Sequence, residues 1–135
     1  MSKVARVSFS LEESVLERFE SYRRSHGFPS RSEAITNLIR KAFVEEEWQK
    51  GKDVAGAISI VYDHHKRGIT DKLTAAQHDF GKLIVCTQHV HLDHYNCMEV
   101  IVVRGGAEAI RKLLARLKAV KGIKHSSLMA ATAGR

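Results

Sequence analysis

The 135 residues contain two cysteines, one proline and no apolar run approaching the roughly 20 residues that a membrane span needs. Each scarcity excludes something. Two cysteines, Cys86 and Cys97, without an export signal argue against a disulfide framework and leave the Cys97 thiol free to bind metal. The first residues carry strand-like alternation where a secretory signal would have an apolar core, so a cytoplasmic location is expected. There is no low-complexity tract. The apolar fraction of 44% is that of a globular protein, and the length allows one ordinary domain or two small ones. A formal net charge of +7 favours a polyanionic partner, although residues 1–50 are themselves nearly neutral.

In Val4 to Ser10, Ala5, Val7 and Phe9 alternate with Arg6, Ser8 and Ser10, the pattern of one short half-buried strand. Ser10 and Glu13 have capping-box spacing ahead of an amphipathic helix from Leu11 to His26, which Gly27 and Pro29 end. A second such pair, Ser30 and Glu33, opens a helix reaching to about Glu47. One strand and two helices cannot bury a core alone, so residues 1–47 are expected to dimerise through antiparallel pairing of that strand. Pairing would turn Arg6, Ser8 and Ser10 of both chains outward as a two-stranded ribbon of the width of the DNA major groove. The N-terminus of the second helix, with Arg31 and Ser32, offers free backbone N–H groups to a phosphate. A solvated strand face and ordinary first-turn residues explain the same pattern.

The other prominent stretch is His89-Val90-His91-Leu92-Asp93-His94-Tyr95-Asn96-Cys97. On a strand His89 and His91 share a face, and a hairpin can return Cys97 to it, giving two nitrogens and a sulfur suited to nickel, copper or zinc. The alternative is half-buried polar histidines beside a core cysteine. Residues 48–53 read as a polar linker. Beyond it come strand 54–62, helix 69–80, strands 83–92 and 97–104, helix 106–120 and strand 123–129. This βαββαβ order is the ferredoxin-like arrangement, making the whole chain α+β with the metal-binding part over 54–135.

Strand parity places Ile84, Cys86, Val90 and Leu92, with Met98, Val100 and Val102, against the helices, and His89, His91, Cys97 and Glu99 on the opposite face. It also requires His91 to stand opposite Cys97 across an odd-numbered loop such as 93–95. In helix 69–80 the apolar stripe is Ile69, Leu73, Ala76 and Phe80, and His78 points away from it, where it cannot easily reach the outer face of its own sheet. His64, His65, His94 and His125 are expected to be surface residues or weak secondary metal sites.

With the ribbon strand, Arg31-Ser32-Glu33-Ala34-Ile35, Tyr62 to Arg67, Gln77-His78, His89-Val90-His91 and Cys97-Met98-Glu99, nearly the whole chain resembles the nickel-responsive regulator family, NikR. The resemblance implies an N-terminal ribbon-helix-helix domain and an ACT-like metal-binding domain. It implies a homotetramer in which His89, His91 and Cys97 of one subunit and His78 of a neighbour hold Ni2+ in a square plane, a geometry that suits Ni(II) and Cu(II), whereas zinc would demand a tetrahedron. Tyr62, Gln77 and Glu99 match positions that orient the ligands, and Lys66 and Arg67 match a segment that touches the DNA backbone. Glu33 is matched, but Asn37 departs from the aspartate that some members use with it for an interdomain cation. The expected function is a nickel-dependent repressor reading a palindromic operator, not an enzyme. The rivals are a ribbon-helix-helix regulator sensing another metal or a small ligand, and a metal store or chaperone that does not bind DNA.

Overall fold

The computed structural model describes residues 3–134, and the chain divides into two compact units, residues 1–41 and 42–135. In the first, helix α1 spans Glu13–Ser25 and helix α2, Arg31–Lys50, begins. Gly27, at φ 72°, reverses the chain after α1: its N–H reaches the Arg24 carbonyl at 3.2 Å, and that of Phe28 reaches Arg23 at 3.0 Å. Tyr22 donates to Asn37 Oδ1 at 3.2 Å, tying the two helices together. Ser30 Oγ accepts from the Glu33 N–H at 3.2 Å, as its spacing predicts. Ser10 does not play the matching part, since α1 starts two residues later, after Glu12, with no side-chain cap. Residues 4–10 form no ladder within the single chain; Val7 is 79% and Phe9 58% exposed. An isolated strand has no partner for its backbone groups, so the expected strand has nothing in one copy to pair with.

The second unit contains strand β1 (Asp53–Asp63), helix α3 (Ile69–Asp79), a 3-10 turn at Gly81–Leu83, strands β2 (Ile84–His91) and β3 (Asn96–Gly106), helix α4 (Ala107–Lys118) and strand β4 (Ile123–Ala131). The strands form one antiparallel sheet in the order β2-β3-β1-β4. The core joins Ile58, Ile60, Ile101 and Val103 of the sheet to Ile69, Leu73 and Ala76 of α3 and Ile110, Leu113 and Leu117 of α4. Removing that much apolar surface from water within one chain stabilises this unit without a partner.

Two expectations fail here. Helix α2 continues to Lys50, through the first three residues of the expected linker at 48–53, and Trp48 is 4% exposed in the core of the second unit. Its indole N–H donates to the Ala131 carbonyl at 2.9 Å, supplying the partner that a buried indole needs. Gly56 makes room for it: a Cβ there would lie 2.7 Å from the Met129 carbonyl oxygen and 3.2 Å from the Trp48 ring.

The second failure is the parity. Cys97, Glu99, Ile101 and Val103 are the buried residues of β3, and they pair with Tyr62, Ile60, Ile58 and Gly56 of β1. The helix-covered face is therefore the odd one in β3. Met98, Val100 and Val102 lie on the other face, and Cys86, which pairs with Val102, is exposed rather than core. Because β3 carries apolar residues on both faces, alternation alone cannot say which one the helices cover. Among the described residues, no helix is long and apolar enough to cross a membrane.

Candidate metal centre

At the end of the sheet where β2 turns into β3, His91 pairs with Cys97 and His89 with Glu99. The Leu92 N–H bonds to the Asn96 carbonyl at 2.8 Å, leaving residues 93–95 as the loop tip, in agreement with the odd-numbered loop that the donor set requires. The tip is fixed by Asp93, whose Oδ1 accepts from the N–H groups of Tyr95 and Asn96, both at 2.8 Å.

Cys97 is fully buried, and His91 Nδ1 lies 3.3 Å from its sulfur. The unexpected member is His64, just past the end of β1, whose Nδ1 stands 3.0 Å from the same sulfur. One donor atom each from His64, His91 and Cys97 lie within 4.8 Å of one another. Around an ion with metal–nitrogen bonds of about 2.0–2.1 Å and a metal–sulfur bond of about 2.3 Å, adjacent corners of a square are roughly 3.1 Å apart. Both observed separations are close to that value, and imidazole with thiolate is a donor set that a late first-row ion favours. The residues present fit nickel.

His89 lies beside this cluster: its ring centroid is 5.1 Å from that of His91. Its Nδ1 is 3.2 Å from Glu99 Oε1 and 3.4 Å from the Tyr62 hydroxyl, which leaves Nε2 available. Glu99 is the hub of a hydrogen-bonded chain that starts at the buried Tyr62 and reaches the surface at Thr87. Tyr62 donates to its Oε1 at 2.9 Å, Gln77 donates to its Oε2 at 2.8 Å, and Thr87 donates to the Gln77 carbonyl oxygen at 3.1 Å. Tyr62, Gln77 and Glu99 thus form a network that sets the His89 ring, and they are carried there by β1, α3 and β3. Orientation of a ligating imidazole by a carboxylate fixes which nitrogen is free for metal.

Burial pushes the Cys97 thiol up, with the negative charges of Glu99, Asp63 and Asp93 adding to it, so sulfur holds its proton until a cation compensates. Burial, followed by the hydrogen bond to Glu99, also pushes the Tyr62 hydroxyl up and keeps it a donor. His64 is shifted the other way, chiefly by desolvation and then by His65 and His91, which favours the neutral, ligating imidazole.

His78 is exposed on α3 and is not one of the clustered donors in this chain. Spacing could not reveal His64, which lies 33 residues from Cys97. The signal was in the sheet order: once Tyr62 of β1 pairs with Cys97, the residues just after β1 must arrive at the hairpin.

The residues assigned to DNA lie at the surface. Arg6, Ser8 and Ser10 are exposed in the extended segment; Arg31 and Ser32 are exposed at the start of α2. Arg31 is engaged, with Nε 2.6 Å from Glu20 Oε1, and that contact with Arg23 beside it holds the Glu20 carboxyl below its ordinary range. Lys66 and Arg67 are exposed in the turn between β1 and α3.

A βαββαβ sheet with imidazole and thiolate donors gathered at one end defines an ACT-like domain built around a transition-metal site. Solved structures agree on the fold: the ACT domain of a GTP pyrophosphokinase from Chlorobium tepidum matches 57% of this chain and 99% of its own, with a TM-score of 0.50 and 19% identity. An uncharacterized protein from Thermotoga maritima matches 60% of this chain and all of its own, with a TM-score of 0.55 and 12% identity.

Residues 55–131 match the family model of the NikR C-terminal nickel-binding domain. Proteins named "Putative nickel-responsive regulator" are similar over the full length: one from Chlorobium limicola is 46% identical over 134 residues, covering 99% of this chain and 100% of its own. Another from Chlorobaculum tepidum is 47% identical over 133 residues, covering 98% and 99%. The chain belongs to the nickel-responsive regulator family, NikR.

Proposed function

We propose that this protein is a nickel-dependent transcriptional repressor that controls nickel uptake or nickel-enzyme genes. The observation that carries the reading is the convergence of His91, Cys97 and the Glu99-oriented His89 at one end of the sheet, in a chain of this family. Square-planar Ni(II) accepts three imidazole nitrogens and one thiolate. In this reading His89, His91 and Cys97 supply three of them, the exposed His78 supplies the fourth to a neighbouring subunit of a homotetramer, and His64, although 3.0 Å from the sulfur, stays outside the four.

The N-terminal part is a ribbon-helix-helix dimer. Its support is the apolar surface that one copy leaves open: Phe9, Leu11, Val15, Leu38 and Ile39 border a groove of about 550 Å³, and Val7 is exposed beside them in sequence. Pairing residues 4–10 of two copies satisfies their backbone groups and covers that groove. It turns Arg6, Ser8 and Ser10 towards base edges, with Arg31 and Ser32 at the phosphates. Residues 1–47 form this domain, 54–135 the metal-binding and tetramerisation domain, and the chain between them couples the two.

Control is by population shift. With His78 engaged across a subunit boundary, α3 and the adjoining Lys66 and Arg67 favour the arrangement in which two ribbons read the half-sites of one palindrome. Each tenfold gain in DNA affinity requires about 1.4 kcal/mol of tighter metal binding to the DNA-competent form. The test is a gel shift with duplex DNA selected from a random pool, across nickel, copper, zinc and cobalt. Retardation is expected to be strongest with nickel, and an equal response to all four would sink the sensing claim.

A further inference from the structure

The division between the two compact units falls at 41/42, inside helix α2, so the last turns of that helix belong to the second unit. Several groups fasten them there. The Trp48 indole is buried and donates to the Ala131 carbonyl of β4 at 2.9 Å. Arg111 of α4 clamps the same residue: its guanidinium lies 5.7 Å from the indole centroid, and Nη2 donates to the Trp48 carbonyl at 3.3 Å. That carbonyl is one of those that a helix end leaves without a partner in the helix, and a cation suits it. Thr132 Oγ1 approaches Glu47 Oε1 at 3.4 Å, and Val44 packs against the core.

The seat of the indole and the network beside the metal centre share one face of one strand. Gly56 of β1 provides the seat, and Tyr62, on the same face of β1, bonds to Glu99 beside His89. Ile58 and Ile60 lie between them and are fully buried. The extended chain from Gly56 to Tyr62 spans about 20 Å. Close-packed interiors transmit a displacement rather than absorb it, so a shift of Tyr62 is felt at the Trp48 seat. After Trp48, only residues 49–52 precede β1, and Gly51, at φ 69°, turns the chain. With Trp48 and β1 both held, so short a stretch is no slack tether.

We propose that Trp48, clamped by Arg111, is the positioning residue through which nickel controls DNA reading. It fastens the end of α2 to the metal-binding unit with and without nickel, and α2 receives the effect of the metal through β1. In the repressor reading, on which this rests, loosening the clamp leaves nickel binding intact and removes its influence on DNA. Trp48 touches neither the metal nor the DNA-reading residues; it acts through the helix that it holds.

Trp48 is the only tryptophan of the chain, so its emission in the full-length protein reports the clamp directly. Acrylamide should quench it weakly in the metal-free and the nickel-loaded protein alike; ready quenching without nickel overturns the clamp, whatever the protein does to DNA. The coupling is read by titrating nickel while following the thiolate charge-transfer band and the binding of the selected duplex. Arg111→Ala and Trp48→Ala should keep the midpoint of the band within about twofold of wild type and lose about tenfold or more of the nickel-induced gain in DNA affinity. Trp48→Phe, which keeps a ring in the seat, should retain most of that gain. Arg111→Ala, a truncation at the surface, decides the matter if Trp48→Ala does not fold. The proposal is overturned if Arg111→Ala keeps the full gain, or if it weakens nickel binding as much as it weakens DNA binding. Wild-type protein that binds the duplex equally with and without nickel overturns the repressor reading itself, and the coupling with it.

Discussion

The two units treat their apolar residues in opposite ways. Residues 42–135 fold Ile58, Ile60, Ile101, Leu113 and Leu117 completely out of water within a single copy, whereas residues 1–41 leave Val7, Phe9, Leu11, Val15, Leu38 and Ile39 at the surface. The first situation is that of a domain whose stability belongs to the chain. The second is that of a surface whose cover must come from elsewhere, since so large a contiguous apolar patch on a small unit marks an interaction site. The contrast separates a unit that buries a core within one copy from one whose apolar surface lies open, as the proposed ribbon dimer would require.

Substitutions in the two units should have different consequences. Ile58→Ala empties a fully buried position and should cost about 2–5 kcal/mol in urea unfolding compared at equal protein concentration. Phe9→Asp should leave that transition in place but raise the concentration needed for the N-terminal parts to associate by tenfold or more, read by sedentimentation-equilibrium ultracentrifugation; an unchanged association constant would remove residues 4–10 from the interface. Glu99→Gln keeps the shape of the hub but removes the charge facing His89, and should weaken nickel binding about 10- to 100-fold with little effect on unfolding.

The raised Cys97 thiol fixes the sign of the pH dependence. Below its pKa each nickel must displace a proton from sulfur, so affinity should fall about tenfold per pH unit as pH decreases, measured by competition with a chelator. The smallest effect belongs to Ser30→Ala, which loses the cap on the Glu33 N–H and should cost about 1 kcal/mol, confined to the N-terminal unit.

The order of elements in the second unit and the pairing of His91 with Cys97 were legible from periodicity and from the parity of the hairpin loop. The choice of covered face was not, because Met98, Val100 and Val102 alternate with Ile101 and Val103, and the charged Glu99 is buried on the helix side, where it bonds to Tyr62 and Gln77. Trp48 sits in a segment of polar composition, which hides the burial that its large indole ring favours. His64 carried no local signature; it reaches Cys97 only through the pairing of β1 with β3, a long-range fact that a single sequence does not display. The corrected face changes the reason for the site's place. His89, His91 and Cys97 lie on the same side of the sheet as the helices, and the opposite, partly apolar face remains without a cover from its own chain.

In the proposed mechanism, a metal site in one domain governs DNA reading by the other. Its most direct test titrates nickel into wild-type protein, Arg6→Ala and Cys97→Ala, recording the thiolate band and the anisotropy of a labelled, selected duplex in the same cuvette. Wild-type should gain both signals together, Arg6→Ala should gain the band without DNA binding, and Cys97→Ala should gain neither. Nickel-dependent DNA binding by Cys97→Ala, at wild-type nickel concentrations, would contradict the account.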